Sequence, residues 1–423
     1  MIKYFFISVV VLCSSVGSLF AQTGWVQINN PIKGRLEDIS FLNANEGYLL
    51  GQNELFFTKD GGTTWEKKNL PDNLGYLVHF STVANGLVAT QNGGKLFQTI
   101  DSGSTWVERI IPSQVRISQF NFPNPTFGYM GTICSNCTTL MLPFTNDGGL
   151  TIQSRYIGKN TDIWGLTFRT PAVGIGVFNE FEPTHAYLMS TNDSGKNWIR
   201  RDSGISYPSG NGYWASITSL SNGDWISSFS NYLDGSTTFY KSSDDGKSWQ
   251  IASIVNGSIY NTTFSGKDGY GVGEITDSQL YLHPIIYSSS DYGTSWVSDV
   301  IPSIDNHFYF TLVAPETKVA YTISDSDIIL KTTTGGMSEV KNNTIFSNTK
   351  ISPEITSGVV TISFDAVPSA ESIEIYDAIG RQVSGAQIPP EATSYRIDVS
   401  NYSSGMYLAK LRGKMYRFVK VGN

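Results

Sequence analysis

A chain of 423 residues has room for two or three ordinary domains, or for one large repeat domain with a small companion. An aromatic content of 13%, 41 glycines and a charged fraction of only 15% suit many short strands joined by polar turns, and they exclude a coiled coil or a disordered chain. The net charge is −7 and no Lys/Arg run exceeds two residues, which argues against a nucleic-acid partner.

Residues 1–21 have the layout of a secretory signal. Lys3 is a short basic start, Tyr4 to Cys13 an apolar stretch, and small residues precede Ala21 and Gln22. Ser14, Ser15, Gly17 and Ser18 break the apolar run well short of the ~20 residues a membrane span needs. Leu12 stands where lipidation at Cys13 would want a small residue. The expectation is a chain that starts near Gln22 after cleavage and then has no transmembrane anchor.

From residue 58 onward one motif recurs: Ser/Thr, any, Asp, any, Gly, any, Ser/Thr/Asn, Trp. It reads TKDGGTTW (58–65), TIDSGSTW (99–106), TNDSGKNW (191–198), SSDDGKSW (242–249) and SSDYGTSW (289–296). TNDGGLTI (145–152) has Ile152 for Trp, and TTTGGMSE (332–339) has Thr334 for Asp and Glu339 for Trp. Successive copies lie 41 to 51 residues apart, room for four strands and three turns. Aspartate accepts hydrogen bonds from turn N–H groups, glycine permits positive φ, and tryptophan plugs the space between strands.

These copies resemble the Asp-box, or BNR repeat, of sialidase-type propellers. The strands around them look similar to the photosystem II assembly-factor type of propeller. The resemblance implies that each box is the turn between the third and fourth strands of a blade. Asp60, Asp101, Asp147, Asp193, Asp244 and Asp291 are accordingly assigned to turn stabilisation rather than catalysis.

Upstream of each box runs an apolar strand, a turn, a Gly-containing strand and a further apolar strand, as in 38–58 and 77–99. The first of these strands ends at Phe41, Phe80, Phe122, Phe168, Leu220, Phe264 and Leu312, which gives seven units. GWVQI (24–28) looks like a strand that follows a box but has none before it, so it is expected to complete the last blade and close the ring. The expected fold is all-β: a seven-bladed β-propeller over 22–337, a polar linker at 338–350 and a small C-terminal β-sandwich at 351–423.

The tail segments 359–364, 372–383, 395–411 and 416–421 alternate apolar and polar residues around Gly- and Ser-containing turns. They resemble the type A C-terminal sorting domain of the type IX secretion system, known from the Bacteroidetes group. The resemblance rests on the hairpin with Gly380, the stretch with Gly405 and Tyr407, and a final strand with Arg417 and Lys420. The opening departs from it, with Ser352, Pro353, Glu354 and Ile355 in place of an aromatic-Pro-Asn-Pro sequence. It implies the type IX secretion machinery as a partner, then removal of the tail and release or attachment to surface lipopolysaccharide.

Few residues suggest chemistry. Cys134 and Cys137 read as a disulfide tightening a hairpin in an oxidising compartment, since no helix start is predicted there for a redox pair and no second ligand pair for zinc. No metal and no cofactor are expected. Glycoside hydrolysis is the enzyme alternative, in sialidase-like or xyloglucanase-like form. The arginines Arg35, Arg109, Arg116, Arg155, Arg169, Arg200 and Arg201 form no recognisable triad, and Glu37, Asp38, Asp162, Glu180, Glu182 and Asp234 show no paired spacing.

Four residues before the aligned strand ends stand Glu37, Tyr76, Ser118, Trp164, Ser216, Tyr260 and Phe308. Tyr76, Trp164, Tyr260 and Phe308 would place aromatic platforms near the ring's mouth, where they suit sugar rings or peptide side chains. Packing between blades is the competing role, because the position shares its parity with core residues. The long segments 179–187 and 273–286 are expected to add to one rim. A binding or adhesion module for an unknown carbohydrate or protein ligand is the leading expectation.

Overall fold

The computed structural model describes residues 24–422, apart from 72–74, 92–93, 113–114, 134–138, 159–160, 182–183, 202–211, 232, 277–281, 300–307, 337–349, 353–354, 365–370, 379–380 and 412–413. The signal segment, Cys134 and Cys137, Glu182, Gly380 and nearly all of 338–350 lie outside the described residues.

The described residues form seven consecutive four-stranded antiparallel sheets, arranged as the blades of a β-propeller. Their innermost strands are Leu36–Phe41, Gly75–Phe80, Arg116–Asn121, Thr161–Phe168, Gly212–Ser219, Ser258–Ser265 and Tyr309–Glu316, here numbered blades 1 to 7. Each innermost strand packs against the next, and that of blade 7 packs against that of blade 1.

Blades 1 to 6 are simple meanders, but blade 7 takes its outer strand from the start of the chain. Gly24–Ile28 pairs antiparallel with Ile329–Gly336, in the register Val26↔Lys331 and Ile28↔Ile329. Trp25, with no exposed surface, is driven into an apolar cluster with Tyr270, Tyr309 and Leu330. Across the seam, Asn30 Nδ2 donates to the Asp327 carbonyl at 2.7 Å and Lys331 Nζ to the Gly61 carbonyl at 3.0 Å.

A repeated aromatic joint holds neighbouring blades together. Phe80, at the end of one innermost strand, stacks on Tyr48 of blade 1, Phe168 on Tyr129, and Phe41 on Tyr321, with centroids 3.4 to 3.7 Å apart. The three tyrosine hydroxyls each donate to a carbonyl of the next blade, at Val83, Pro171 and Ala44. The same phenylalanine rings cover the glycine that opens the second strand: a Cβ on Gly47 would lie 2.5 Å from the Phe41 ring, and one on Gly174 2.6 Å from Phe168. Glycine stands there because the ring needs the room.

The six boxes that keep their aspartate fold into one turn. In the first, Thr58 Oγ1 donates to Asp60 Oδ1 at 2.9 Å and accepts from Gly62 N, while Asp60 accepts from Thr64 N at 2.8 Å and Thr64 Oγ1 at 2.6 Å. Asp101, Asp147, Asp193, Asp244 and Asp291 hold the same positions against Thr105, Thr151, Asn197, Ser248 and Ser295. The backbone N–H next to the box glycine then donates to the loop between the first two strands, as Gly61 does to Asn45 and Gly148 to Thr126. In the seventh copy Thr332 still accepts from Gly336 N at 2.8 Å, but Thr334 supplies no carboxylate. The strand simply continues to Gly336, where it meets Gly24.

The tail forms two sheets. Lys350–Ser352, Val359–Ser363 and Ser394–Asp398 make one, and a five-stranded sheet runs in the order Ile355–Thr356, Lys414–Lys420, Gly405–Leu411, Glu371–Asp377, Gln382–Ile388. Both contribute to a single core around Val360, Ile362, Ile373, Ile397 and Phe418. Tyr407 is buried in it and donates its hydroxyl to the Ser403 carbonyl at 2.9 Å. Gly405 opens its strand, Arg417 is exposed, and buried Lys420 donates to the Val421 carbonyl at 2.7 Å. Among the described residues no helix is long and apolar enough to cross a membrane.

Candidate binding site at the ring mouth

Strand direction separates two faces of the ring. Phe41, at the end of blade 1's innermost strand, pairs with Gly47, and Gly47 with Thr58, so the boxes sit where innermost strands end. Leu36 pairs with Gly51 at the other face. The mouth where innermost strands begin is therefore opposite the boxes.

At that mouth every innermost strand carries a register shift against its neighbour, at Leu36/Asp38, Gly75/Leu77, Ile117/Gln119, Ile163/Gly165, Trp214/Ser216, Ile259/Asn261 and Tyr309/Thr311. The register skips Glu37, Tyr76, Ser118, Trp164, Ala215, Tyr260 and Phe310. A bulge leaves one residue without a cross-strand partner and re-aims its side chain. Not every bulged residue is open: Glu37 is buried, and Phe310 packs against the cluster of Ile39, Leu49 and Tyr321.

Tyr76, Trp164 and Tyr260 thus stand at equivalent bulges. Phe308 does not: it lies just before its strand, where its N–H donates to Asp325 Oδ1 at 3.1 Å, and the bulge belongs to Phe310. In blade 5 the bulge is Ala215, not Ser216, whose hydroxyl is buried against Ser228 and Thr262. Both offsets arise because Leu220 and Leu312 are not in register with Phe41. Leu312 corresponds to Ile39, and Leu220 falls one residue past its strand.

The bulged residues differ in cover. Tyr76 has the Arg116 guanidinium 4.8 Å above its ring. Trp164 is 44% exposed, in a strand whose neighbours Ile163 and Leu166 have no exposed surface. Small residues flank it, Ser118 on one side and Ala215 on the other, and Ser118 Oγ reaches the Ile163 carbonyl at 3.4 Å. Among the described residues, the neighbouring bulge positions Ser118 and Ala215 carry no side chain large enough to cover the indole.

The rim is uneven. Second strands of blades 1 and 2 are five residues long, whereas Gly174–Phe181, Trp225–Asn231 and Asp268–Thr276 of blades 4 to 6 have 8, 7 and 9. All begin at the box face, so the extra length rises on the mouth side around Trp164. The segments 179–187 and 273–286 belong to these raised hairpins, and Leu233 and Leu282 are exposed near their tips.

The described candidate carboxylates have local partners. Glu37 faces Arg35 at 3.5 Å, and burial raises it above the usual range. Asp38 accepts from Val78 N of blade 2 and from its own neighbour Ile39 N, both at 2.9 Å. Burial pushes it up to about 7 against those hydrogen bonds. Gln119 and Asn121 make the same kind of bridge from blade 3 to Leu166 and Phe168 of blade 4, so Asp38 belongs to the joints between blades. Asp162 is buried, and Asp234 caps its own hairpin through Ser236. Arg109, Arg155 and Arg200 lie on outer strands, away from the opening. Among the described residues no three His, Cys, Asp or Glu gather as a metal site.

Residues 350–420 match the family model described as "Secretion system C-terminal sorting domain". The tail is a type IX secretion sorting domain. The chain is thereby marked for export to the cell surface or the medium and for interaction with the type IX machinery. Residues 18–115 match the model described as "Photosynthesis system II assembly factor YCF48". Over 60 residues, 14% of this chain, it is 38% identical to "Photosystem II assembly lipoprotein Ycf48" of Prochlorococcus marinus (strain MIT 9312), a match that spans 18% of that protein's length. Two solved propellers resemble the fold: "YCF48 bound to D1 peptide", with TM-score 0.54 and 17% identity over 73% of this chain and 96% of that one, and YCF48 from Cyanidioschyzon merolae, with 0.54 and 16% over 73% and 98%. At such identity the likeness concerns the fold alone.

Proposed function

We propose that this exported chain is a binding module whose ligand, a carbohydrate or a protein, lies across the ring mouth on Trp164. The observation that carries the reading is the part-exposed indole: Trp164 stands at a bulge and is 44% exposed in an otherwise buried strand, its neighbours at the equivalent bulges, Ser118 and Ala215, are small, and the hairpins of blades 4 to 6 are raised on the same side. A large aromatic ring left exposed in an otherwise buried strand suits stacking on a sugar face or an apolar peptide side chain. Tyr76 and Tyr260 stand at the equivalent bulges of blades 2 and 6. That a structurally similar propeller is described as bound to a peptide lends weight to the protein form of the ligand.

The organisation proposed with it is a signal at 1–21, a propeller at 22–337, a linker at 338–350 and a sorting domain at 351–423 that delivers the propeller outward. Incubating the full chain on arrays of extracellular glycans and of peptides tests the reading. Retention of one class without turnover is expected, with loss of that retention in Trp164→Ala. Release of cleaved sugar would instead make the chain a glycoside hydrolase.

A further inference from the structure

We propose that the export machinery reads the tail along the strand Gln382–Ile388, by adding an extended polypeptide strand of its own to this edge of the five-stranded sheet. The proposal rests on the sorting-domain match and is independent of what the ring mouth binds.

Among the described residues, Gln382–Ile388 is the last strand of that sheet, paired on one side only, with Glu371–Asp377. A bulge at Val383 marks its beginning, after which Ser384 to Ile388 run in unbroken register with Ile375 to Glu371. Its backbone therefore presents one straight row of N–H and C=O groups away from the sheet. Such a row is a template for another strand unless charge, proline or cover blunts it.

At its start the strand has the bulge and the Gln382 side chain, whose Nε2 donates to the Ser384 carbonyl at 3.4 Å, but charge and proline are missing along its whole length. Its sequence, QVSGAQI, has no charge and no proline. Gln382, Val383, Ser384 and Gly385 are all exposed, so this end of the strand is wetted on both faces, and the small side chains of Ser384, Gly385 and Ala386 leave the backbone open to approach. Only its far end is anchored, through Ile388 in the core.

Other margins of the chain are treated differently. At the opposite edge of the same sheet Ile355–Thr356 covers the end of Lys414–Lys420, which carries Lys414, Arg417 and Lys420 along its length. Ser394–Asp398 bears Arg396 and Asp398. In the propeller, Glu66–Lys68 and Val107–Arg109 are three residues long and charged. Gln250–Asn256 matches the tail strand in length and lack of charge, but a bulge at Ala252 divides it. A domain that a machine must recognise thus keeps bare the longest unbroken uncharged edge among these margins.

Strand addition gives affinity through the main chain and leaves selectivity to alternate side-chain positions. The partner segment this edge suits is extended and uncharged, with small or polar residues opposite Ser384, Gly385 and Gln387.

The test is export of the full chain from cells that carry a type IX machine, comparing the native chain with Ser384→Lys/Gln387→Lys, and with Ser394→Lys on the other sheet as control. Thermal unfolding of each purified chain establishes that it is folded. The expected result is at least a tenfold drop in the exported fraction for the double variant, with the control exported normally. Normal export of a folded double variant overturns the proposal. Should the double variant not fold, a photo-crosslinking residue at Gln387 in the otherwise native chain decides. Capture of an outer-membrane component of the machine supports the proposal, while capture of a second copy of the chain alone, or of nothing, overturns it.

Discussion

The Tyr48 ring lies flat on Phe80 of the next blade, centroids 3.4 Å and planes 4° apart, and its hydroxyl donates to the Val83 carbonyl at 2.7 Å. One side chain thus joins two blades by an apolar and a polar contact that can be removed separately. Tyr48→Phe keeps the stack and strands the carbonyl, at a cost of about 1 kcal/mol. Tyr48→Ala also opens a cavity and is expected to cost about 3–5 kcal/mol. Urea unfolding midpoints of the two variants measure the difference.

Gly47 and Gly158 form a second contrast. A Cβ on Gly47 meets the Phe41 ring, whereas one on Gly158 meets nothing within 4 Å, and neither residue has positive φ. Gly47→Ala should lower stability by about 1–3 kcal/mol through overpacking. Gly158→Ala should change it by no more than about 0.5 kcal/mol. Equal midpoints for the two would remove the steric account of the blade glycines.

Ring closure depends on Trp25. Its fully buried indole fills the joint between blades 6 and 7, so Trp25→Ala is expected to cost about 3–5 kcal/mol. The outer strand of blade 7 should then detach first. Limited proteolysis is expected to cut near residue 30 in the variant well before it cuts the native ring.

Carboxylates in the two kinds of joint respond oppositely to pH. Asp60, Asp101 and Asp244 are held at about 2, chiefly by the hydroxyls of Thr64, Thr105 and Ser248, and Asp193 chiefly by Asn197 N. Their folded values lie below the unfolded value near 4, so the stability they contribute is complete above about pH 4 and is lost as pH falls toward 2. Asp38 is raised to about 7 by burial. Its contribution is complete below about pH 4 and is lost as pH rises through 7. Thermal unfolding across this range should show the gap between native and Asp60→Asn closing in acid. The gap between native and Asp38→Asn should close instead between about pH 4 and 7.

Periodic features of this architecture were legible in the residues. Box spacing, Phe strand ends and the GWVQI segment, which no box precedes, all report contacts made within one blade or repeated in each. The bulges were not legible, because an unpaired residue is a property of backbone register and has no composition of its own. Tyr76, Trp164 and Tyr260 came out at bulges because their blades repeat the spacing of blade 1. Phe308 missed by two positions because Leu312 is apolar for a different reason, packing where Ile39 packs in blade 1. Ala215, flanking Trp164, carried no signal at all. Asp38 showed no paired spacing because its partner, Val78 N, lies a whole blade away in sequence.

Trp164 carries the functional account, and one comparison tests it. The native chain and Trp164→Ala are applied to the same arrays of extracellular glycans and peptides, after thermal unfolding shows that both are folded. Because 44% of Trp164 is exposed, its removal should leave the chain folded while weakening the retained ligand by tenfold or more. Undiminished retention by a folded Trp164→Ala chain would contradict a ligand site at the ring mouth.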